Sequence, residues 1–242
     1  MQILEGINPV SEALKAGKAV IRIIVDRQRR GEAGIQEIVQ MAMSRQIVVQ
    51  YVGHFQMEQE TKSNRHQGVI AYRQGRTYVD YVDILDHARG LGQDPLVVVL
   101  DDIVDPHNVG AIIRTAEALG AHGLVMHDRR AAGLTPTVVR ASAGASEHLL
   151  IARVNNIHNT LRDLKKSEIT IVGTDVEGKA ELGQIELNGP MVVVIGSEER
   201  GLSKSVKKVC DYLLKIPMRG QVQSLNASVA AALVLWEVSR NR

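Results

Sequence analysis

Residues 96–114, LVVVLDDIVDPHNVGAIIR, join an unbroken apolar run to a polar turn and then to a helical pattern. The run Leu96–Leu100 is typical of a parallel strand that is covered on both faces. Apolar residues recur at helical spacing in the segment that follows, Val109–Leu119. A strand that leads into a helix in this way favours an α/β fold with a parallel sheet.

The same alternation extends along the chain in both directions. Further strands are predicted at Gly123–Met126, Leu149–Ala152, Ile169–Gly173, Met191–Ile195 and 212–216, and helices at Ile157–Leu164, Ser203–Val209 and Ser224–Ser239. Upstream, strands are predicted at Val20–Val25, Ile47–Val52 and Gly68–Tyr72, and helices at Ile35–Met43 and Val79–Leu91. We expect a small α/β domain over residues 1–73, a linker over 74–93 and a larger α/β domain over 94–242.

Composition is that of an ordinary globular protein, with 45% hydrophobic and 23% charged residues. The net charge of +2 does not by itself indicate nucleic acid. The first 76 residues hold 11 Lys and Arg against 7 Asp and Glu, and the rest hold 18 against 20. A mildly basic front half suits a phosphate-facing surface, although ordinary scatter explains the difference equally well.

Three classes of protein are disfavoured by what the sequence lacks. The single cysteine, Cys210, excludes an intrachain disulfide. Neither a secretory signal nor a membrane-spanning apolar stretch is visible, so we expect a cytoplasmic protein without a membrane partner. We expect no metal site, since no His and Cys residues have the spacing of metal ligands.

Three polar segments follow predicted strands, where open α/β sheets bind their ligands. The first is Asp105–Arg114, in which Asn108 is expected to cap the helix, Gly110 permits close approach and Arg114 suits a phosphate or ribose. The second is Ile195–Leu202, with Glu198 between Gly196 and Gly201. Taken singly, each is explained at least as well by a capped helix or a polar turn.

The third polar segment is Ile216–Ser228. We expect Ser224 to cap the final helix, with Asn226 and Ser228 in its first turn. Three such residues exceed what capping requires, so a functional role is about as well supported as a structural one. The spacing of glycines and lysines matches neither a dinucleotide fingerprint nor a phosphate-binding P-loop.

Together these segments resemble the three motifs of the SpoU-type, or TrmH-like, RNA 2′-O-ribose methyltransferases of the SPOUT superfamily. The matching residues are Asn108, Gly110 and Arg114 in motif one, Gly196, Glu198 and Gly201 in motif two, and Ile216–Met218 with Ser224–Ser228 in motif three. Residues 8–14 and His66–Val69 resemble the family's small substrate-binding domain, which is L30e-like. The resemblance therefore covers nearly the whole chain.

The resemblance implies a parallel sheet with a C-terminal trefoil knot and the cofactor S-adenosylmethionine. It implies cofactor contacts by Ile195, Gly196, Gly201, Ile216, Met218 and Leu225, and catalytic or positioning roles for Asn108, Arg114, Glu198, Ser224 and Asn226. It further implies methylation of a ribose, that of a guanosine, in large-subunit ribosomal RNA. The alternatives are a transfer-RNA ribose methyltransferase, a resistance-type ribosomal RNA methyltransferase, a non-catalytic RNA-binding or ribosome-assembly factor and, more weakly, a nucleotide-dependent oxidoreductase.

RNA contacts and self-association are the remaining expectations. Aromatic residues make up only 3% of the chain, so RNA recognition is expected to depend on shape and phosphate contacts rather than on stacking platforms. The candidates are Arg22, Arg27, Arg29, Arg30, Arg65, Arg73, Arg140 and Arg219, whereas His66 is expected to be structural. Family resemblance implies a homodimer, for which the final helix with Val234 and Trp236 is a candidate interface.

Overall fold

The computed structural model describes residues 2–17, 19–61, 66–73, 78–128, 133–222 and 224–242. Its strands are β1 Gln2–Glu5, β2 Val20–Asp26, β3 Val48–Val52, β4 Val69–Arg73, β5 Leu96–Asp101, β6 Gly123–His127, β7 Leu150–Val154, β8 Thr170–Thr174, β9 Ala180–Glu181, β10 Met191–Gly196 and β11 Tyr212–Lys215. Its α-helices are α1 Ile7–Lys15, α2 Ala33–Ser44, α3 His54–Glu60, α4 Tyr81–Gly90, α5 Pro106–Ala118, α6 Pro136–Ala141, α7 Ile157–Lys166, α8 Lys204–Lys207 and α9 Ala227–Arg240, and a 3-10 turn spans Ala145–Glu147.

The chain forms two compact units. The first comprises Met1–Thr77 together with Leu134–His148, and the second comprises Tyr78–Gly133 together with Leu149–Arg242. The chain therefore leaves the first unit, returns to it for a short segment and then completes the second. The return segment contains α6 and the 3-10 turn.

The first unit contains a four-stranded sheet in the order β1-β4-β2-β3. Strands β2 and β3 run parallel, whereas β4 is antiparallel to both of its neighbours. One hydrophobic cluster includes Leu14 of α1, Ile35 of α2 and Val139 of α6, and a smaller one includes Met57 of α3. Val139 thus places the return segment in the core of this unit.

The second unit contains a seven-stranded sheet in the order β7-β6-β5-β10-β8-β11-β9, with every neighbouring pair parallel. This confirms the predicted α/β class. Every residue of β5 and of β10 is buried, which explains their unbroken apolar runs. The trefoil knot and the L30e-like character of the front domain stay predictions.

Helix α4 lies inside the expected linker. Ile84 and Leu85 belong to the same buried cluster as Val97 and Val125 of the parallel sheet. Asp80 caps the helix, accepting a hydrogen bond from the backbone of Val82 at 3.0 Å. The helix is therefore part of the second unit, while the domain boundaries at residues 73 and 94 stay a prediction.

Sheet order determines where the three motifs meet. Strands β5, β10, β8 and β11 are successive neighbours although they are far apart in sequence. Motif one follows β5, motif two follows β10 and motif three follows β11. Because parallel strands end at the same edge of a sheet, the three motif loops emerge side by side.

Candidate active site

A hydrogen-bond network centred on Glu198 joins the three motifs. Its Oε1 accepts hydrogen bonds from Nδ2 of Asn108, from Nδ2 of Asn226 at 3.2 Å and from the backbone N–H of Ala227 at 3.4 Å. Asn226 Nδ2 also donates to Asn108 Oδ1 at 2.9 Å. Asn108, Glu198 and Asn226 are thereby brought together from three separate segments of the chain.

Asn108 is free to join this network because another residue caps α5. Asp105 is the cap, its Oδ1 accepting from the backbone N–H of His107 at 3.0 Å, and Pro106 occupies the first turn. The prediction that Asn108 caps the helix is therefore wrong. Its side chain lies one turn further on, buried at 8% exposure.

The cap of α9 also differs from expectation. Asn226 is the cap, and its Oδ1 accepts from the backbone N–H of Ser228 at 2.9 Å and from the Ser228 hydroxyl at 2.5 Å. The helix begins at Ala227, so the predictions of a cap at Ser224 and a helical start there are wrong. Ser224 instead lies exposed in the preceding segment.

The motif-two loop requires both of its glycines. A Cβ on Gly196 would overlap the backbone of Gly201 and lie 2.5 Å from the backbone nitrogen of Leu202. Gly201 has a positive φ of 61° and donates its N–H to the Ser197 carbonyl at 2.8 Å. Beyond the loop, the backbone N–H of Ser203 donates to buried Asp101 Oδ2 of β5 at 2.7 Å, which fixes the loop to the neighbouring strand.

Beside the network lies a cleft of about 730 Å³. Its lining includes every residue expected to hold the cofactor: Ile195, Gly196, Gly201, Ile216, Met218 and Leu225. Glu198 and Ser224 line it as well. A cleft of this size, with apolar side chains and an accessible loop backbone, suits a nucleoside-sized ligand.

Sequence reasoning missed one wall of the cleft, residues 174–177 at the end of β8. The Asp175 side chain, only 4% exposed, forms an ion pair with Lys207 of α8, and its Oδ1 accepts from the backbone N–H of Glu177 at 2.9 Å. Only their position could have indicated a place in the site, because these residues directly follow the predicted strand 169–173. They lack a motif of their own, so only the sheet order shows that they belong here.

Arg114 stands apart from the network. It is exposed on α5, six residues beyond Asn108, which is about 9 Å along the helix axis. Among the residues that the structure describes, none forms a hydrogen bond or an ion pair with its guanidinium. Its charge is thus available for an anion.

The other arginines that were expected to contact RNA differ in their burial and in their ion pairs. Arg73 is buried, with a side chain only 2% exposed, and its Nη1 donates to Glu147, so the prediction that it contacts RNA is wrong. Arg29 pairs with Glu32 at 2.6 Å. Others placed by the structure are Arg22 near Glu60, Arg140 paired with Glu5, and Arg27, Arg30 and Arg219 on the surface, while Arg65 lies outside the described residues.

Two further expectations are resolved by burial. His66 is buried and its Nδ1 accepts from the backbone N–H of Gly68 at 3.1 Å, which confirms a structural role. Val234 is fully buried in the core and is unavailable as an interface residue, which corrects that prediction. Trp236 is 57% exposed.

The described part of the chain lacks two further features. It contains no group of three His, Cys, Asp or Glu side chains placed to hold a metal ion. In the same residues, every helix is too short or too polar to cross a bilayer.

Family models match the chain in two consecutive parts. Residues 95–236 match the SpoU rRNA Methylase family, and residues 3–79 match the model named RNA 2′-O ribose methyltransferase substrate binding. A relative from Bacillus subtilis (strain 168), called putative TrmH family tRNA/rRNA methyltransferase YacO, is 41% identical over 98% of this chain and 94% of its own length.

Solved structures of similar proteins fall into two groups. The SpoU methyltransferase AviRb from Streptomyces viridochromogenes, in complex with AdoMet, is 30% identical with a TM-score of 0.80, covering 98% of this chain and 89% of that one. The AdoMet-bound rRNA methyltransferase from Sinorhizobium meliloti is 26% identical with a TM-score of 0.81, covering 99% and 87%.

A tRNA-modifying TrmH/SpoU enzyme from A. aeolicus is 30% identical with a TM-score of 0.57, but it covers only 62% of this chain and 76% of its own. The order of the motifs, the Glu198 network and both family models point to the same family. The chain belongs to the SpoU family of RNA methyltransferases.

Proposed function

We propose that this protein transfers a methyl group from S-adenosylmethionine to a ribose 2′-hydroxyl in large-subunit ribosomal RNA. The observation that carries the proposal is the Glu198 network, which ties the three motifs together beside a cleft. An accidental likeness of three short segments would not require their polar side chains to meet.

The cleft fits S-adenosylmethionine in both size and chemistry. Its volume of about 730 Å³ lies within the range of cofactor sites. Gly196 and Gly201 place backbone in the cleft wall, and Ile195, Ile216 and Leu225 supply apolar surface for an adenine. When bound, the cofactor supplies an activated methyl group on a neutral leaving group, so the reaction needs no metal.

Arg114 is the candidate catalytic residue. An arginine stays protonated at any physiological pH, so it suits charge stabilisation better than proton abstraction. We assign Arg114 two roles: it binds the target phosphate, and it stabilises the negative charge that develops on the ribose oxygen. Asn108, Glu198 and Asn226 position the loops that carry the site, and Ser224 lies on the cleft wall where the ribose is expected.

A ribosomal substrate is favoured by the front unit. The similar structure named as an rRNA methyltransferase covers nearly the entire chain, whereas the one named as a tRNA-modifying enzyme covers 62%. A guanosine target and a cytoplasmic location remain part of the proposal. The principal alternative is a transfer-RNA ribose, since the name of the Bacillus relative allows both substrates.

We further propose that the protein is a homodimer associating through α9. Val229, Leu233 and Trp236 recur at helical spacing on that helix and are 47%, 41% and 57% exposed. Apolar side chains in a stripe of this kind favour a covered surface.

The function is tested by mapping ribose methylation in cells that have or lack the protein. We expect one 2′-O-methyl mark in large-subunit ribosomal RNA to disappear with the gene and to return with the wild-type chain. A mark lost from transfer RNA instead would establish the alternative substrate. If both RNA classes kept every mark, the methyltransferase proposal would fail.

The role of Arg114 is tested with the Arg114→Ala variant. We expect methyl transfer to fall at least a hundredfold, because charge stabilisation of this kind typically contributes that much. Affinity for S-adenosylmethionine, measured by calorimetry, should change little since Arg114 is absent from the cleft lining. Near-normal turnover would remove Arg114 from the reaction.

A further inference from the structure

The single phenylalanine of the chain, Phe55, is 73% exposed on α3. An exposed apolar residue is ordinary in itself. Phe55 differs because of its surroundings: the His54 imidazole and the Glu58 carboxylate lie in the same helical turn, and the Arg27 guanidinium, which forms no ion pair among the described residues, lies in the adjoining loop.

His54 precedes Phe55 and is held by a buried acid. Its Nδ1 lies 2.9 Å from Oδ2 of Asp26, whose side chain is 1% exposed. Burial alone would raise the pKa of Asp26, but hydrogen bonds from His54 and from the backbone N–H of Gln28 outweigh it and leave that pKa below its usual value. Asp26 is therefore a carboxylate that keeps the proton on Nδ1 and directs Nε2 outward, 3.6 Å from Glu58 Oε1.

Arg27 lies beside the same turn. Its backbone N–H donates to the Val52 carbonyl at 2.9 Å, and its Nη2 reaches the Tyr51 carbonyl at 3.5 Å, at the end of the strand that leads into α3. Arg27 forms no ion pair among the described residues. Arg29, two residues on, is paired with Glu32 and contributes less net charge.

An aromatic ring beside a cation is the chemistry that recognises an unpaired nucleotide. Bases of every kind stack on aromatic side chains, and a guanidinium donates hydrogen bonds to the oxygens of a phosphate. His54 and Glu58 add an acceptor or donor for a base edge. Fully paired RNA buries the faces of its bases, so only a loop, bulge or end presents one for stacking.

We propose that Arg27, His54, Phe55 and Glu58, here called the Phe55 patch, bind one unpaired nucleotide of the RNA substrate. The base stacks on Phe55 and the phosphate lies at Arg27. The inference rests on the proposed function, since it assumes that this chain acts on RNA. It also revises the expectation that few aromatic residues exclude stacking, because a single exposed ring suffices for one base.

The test measures binding of the full-length protein to two probes, a short RNA hairpin with a single-stranded loop and a blunt RNA duplex of equal length. Wild-type protein should prefer the hairpin, and Phe55→Ala should weaken hairpin binding about tenfold with little change for the duplex. Phe55→Tyr should retain the affinity because it keeps a ring, whereas Phe55→Leu should not. Arg27→Gln should weaken binding of both probes and reduce its salt dependence.

Val48→Ala is the matched control, since Val48 is also exposed, at 65%, on β3 of the same unit. Its hairpin affinity should equal that of wild type, and calorimetry should give all variants the same affinity for S-adenosylmethionine. Equal hairpin affinity for wild type and Phe55→Ala, or no wild-type preference for the hairpin, would overturn the inference. A hairpin preference that depends on Phe55, in a wild-type protein that methylates no RNA, would instead sink the proposed function and leave the patch standing.

Discussion

At the scale of single residues, the site depends on which polar side chains cap the helices and which stay available for hydrogen bonds between the motifs. Asp105 satisfies the start of α5, which releases Asn108 to bond with Glu198. Asn226 serves two purposes at once, because its Oδ1 caps α9 while its Nδ2 reaches Asn108 and Glu198. Removing the shared acceptor is therefore expected to disturb all three motifs together.

Glu198→Ala tests this directly. Asn108, Asn226 and Ala227 would each lose an acceptor, and because the site is partly open to water we expect the free energy of unfolding to fall by only about 1 kcal/mol. Methyl transfer should fall more than tenfold, since the loops lose their common anchor. Glu198→Gln keeps a carbonyl acceptor and should retain the stability in urea denaturation. If Glu198→Ala matched wild type in both assays, the network would be incidental.

Cys210 gives a second prediction at this scale. Burial and the neighbouring charge of Asp211 raise the pKa of its thiol to about 12, so the native protein holds the thiol protonated. Iodoacetamide should label the chain slowly at pH 8 and rapidly in urea. Because the unfolded chain loses this proton near pH 8.5 while the native chain keeps it, stability should fall as pH rises above that value.

The Cys210→Ser variant is the control, and its stability should decline less between pH 9 and pH 10. Equal labelling rates in native and urea-unfolded protein would contradict the assigned burial.

At the scale of elements, the motif-two loop brings the backbone of Gly196 into close contact with the backbone of Gly201 and Leu202. Gly196→Ala places a methyl group against the backbone of Gly201 and Leu202, which cannot yield as a side chain tip can. We expect about 1–3 kcal/mol of destabilisation and weaker binding of S-adenosylmethionine, measured by thermal unfolding and calorimetry.

Gly90→Ala is the matched control for this substitution. Its added Cβ meets no atom within 4 Å, and Gly90 lies at the end of a helix. It should leave cofactor binding unchanged. Equal effects of the two substitutions on stability and on cofactor binding would show that the motif-two loop does not require a glycine at position 196.

Sequence patterns predicted most of the elements that have an apolar signature, although they missed α1, which buries Val10, Ala13 and Leu14. The fully buried strands β5 and β10 could be predicted because each is a run of apolar residues. Helix α3 buries only Met57, and β9 has two residues, so neither has a periodicity to detect. The helix starts were misplaced because Asp, Asn and Ser compete as caps, and tertiary contacts decide between them.

The same distinction applies to the site. That the motif residues lie together could be predicted because the three segments jointly resemble the motifs of the SpoU family. The wall at Thr174 and Asp175 was not, since its role follows from β8 lying between β10 and β11 in the sheet. Likewise, Arg73 has no sequence feature that distinguishes a buried ion pair from a surface charge.

At the scale of the whole molecule, self-association is the property to test. We expect sedimentation to give a dimer for the wild type and a monomer for a chain carrying both Leu233→Glu and Trp236→Glu, because two charges would then face the apolar partner surface. Val82→Glu, at a position 42% exposed on α4, should leave the dimer intact. A monomeric wild type would contradict the proposed use of α9.

The return of residues 134–148 to the first unit bears on how this protein can be divided. Glu147 from that segment neutralises buried Arg73, Arg140 reaches Glu5 at 2.8 Å, and Val139 completes the hydrophobic cluster. A fragment ending at residue 77 would lose the Glu147 carboxylate that pairs with buried Arg73, and it would open a gap beside α1 and α2. The front part is thus not a detachable module: grafting it onto another enzyme would demand that fifteen-residue stretch as well.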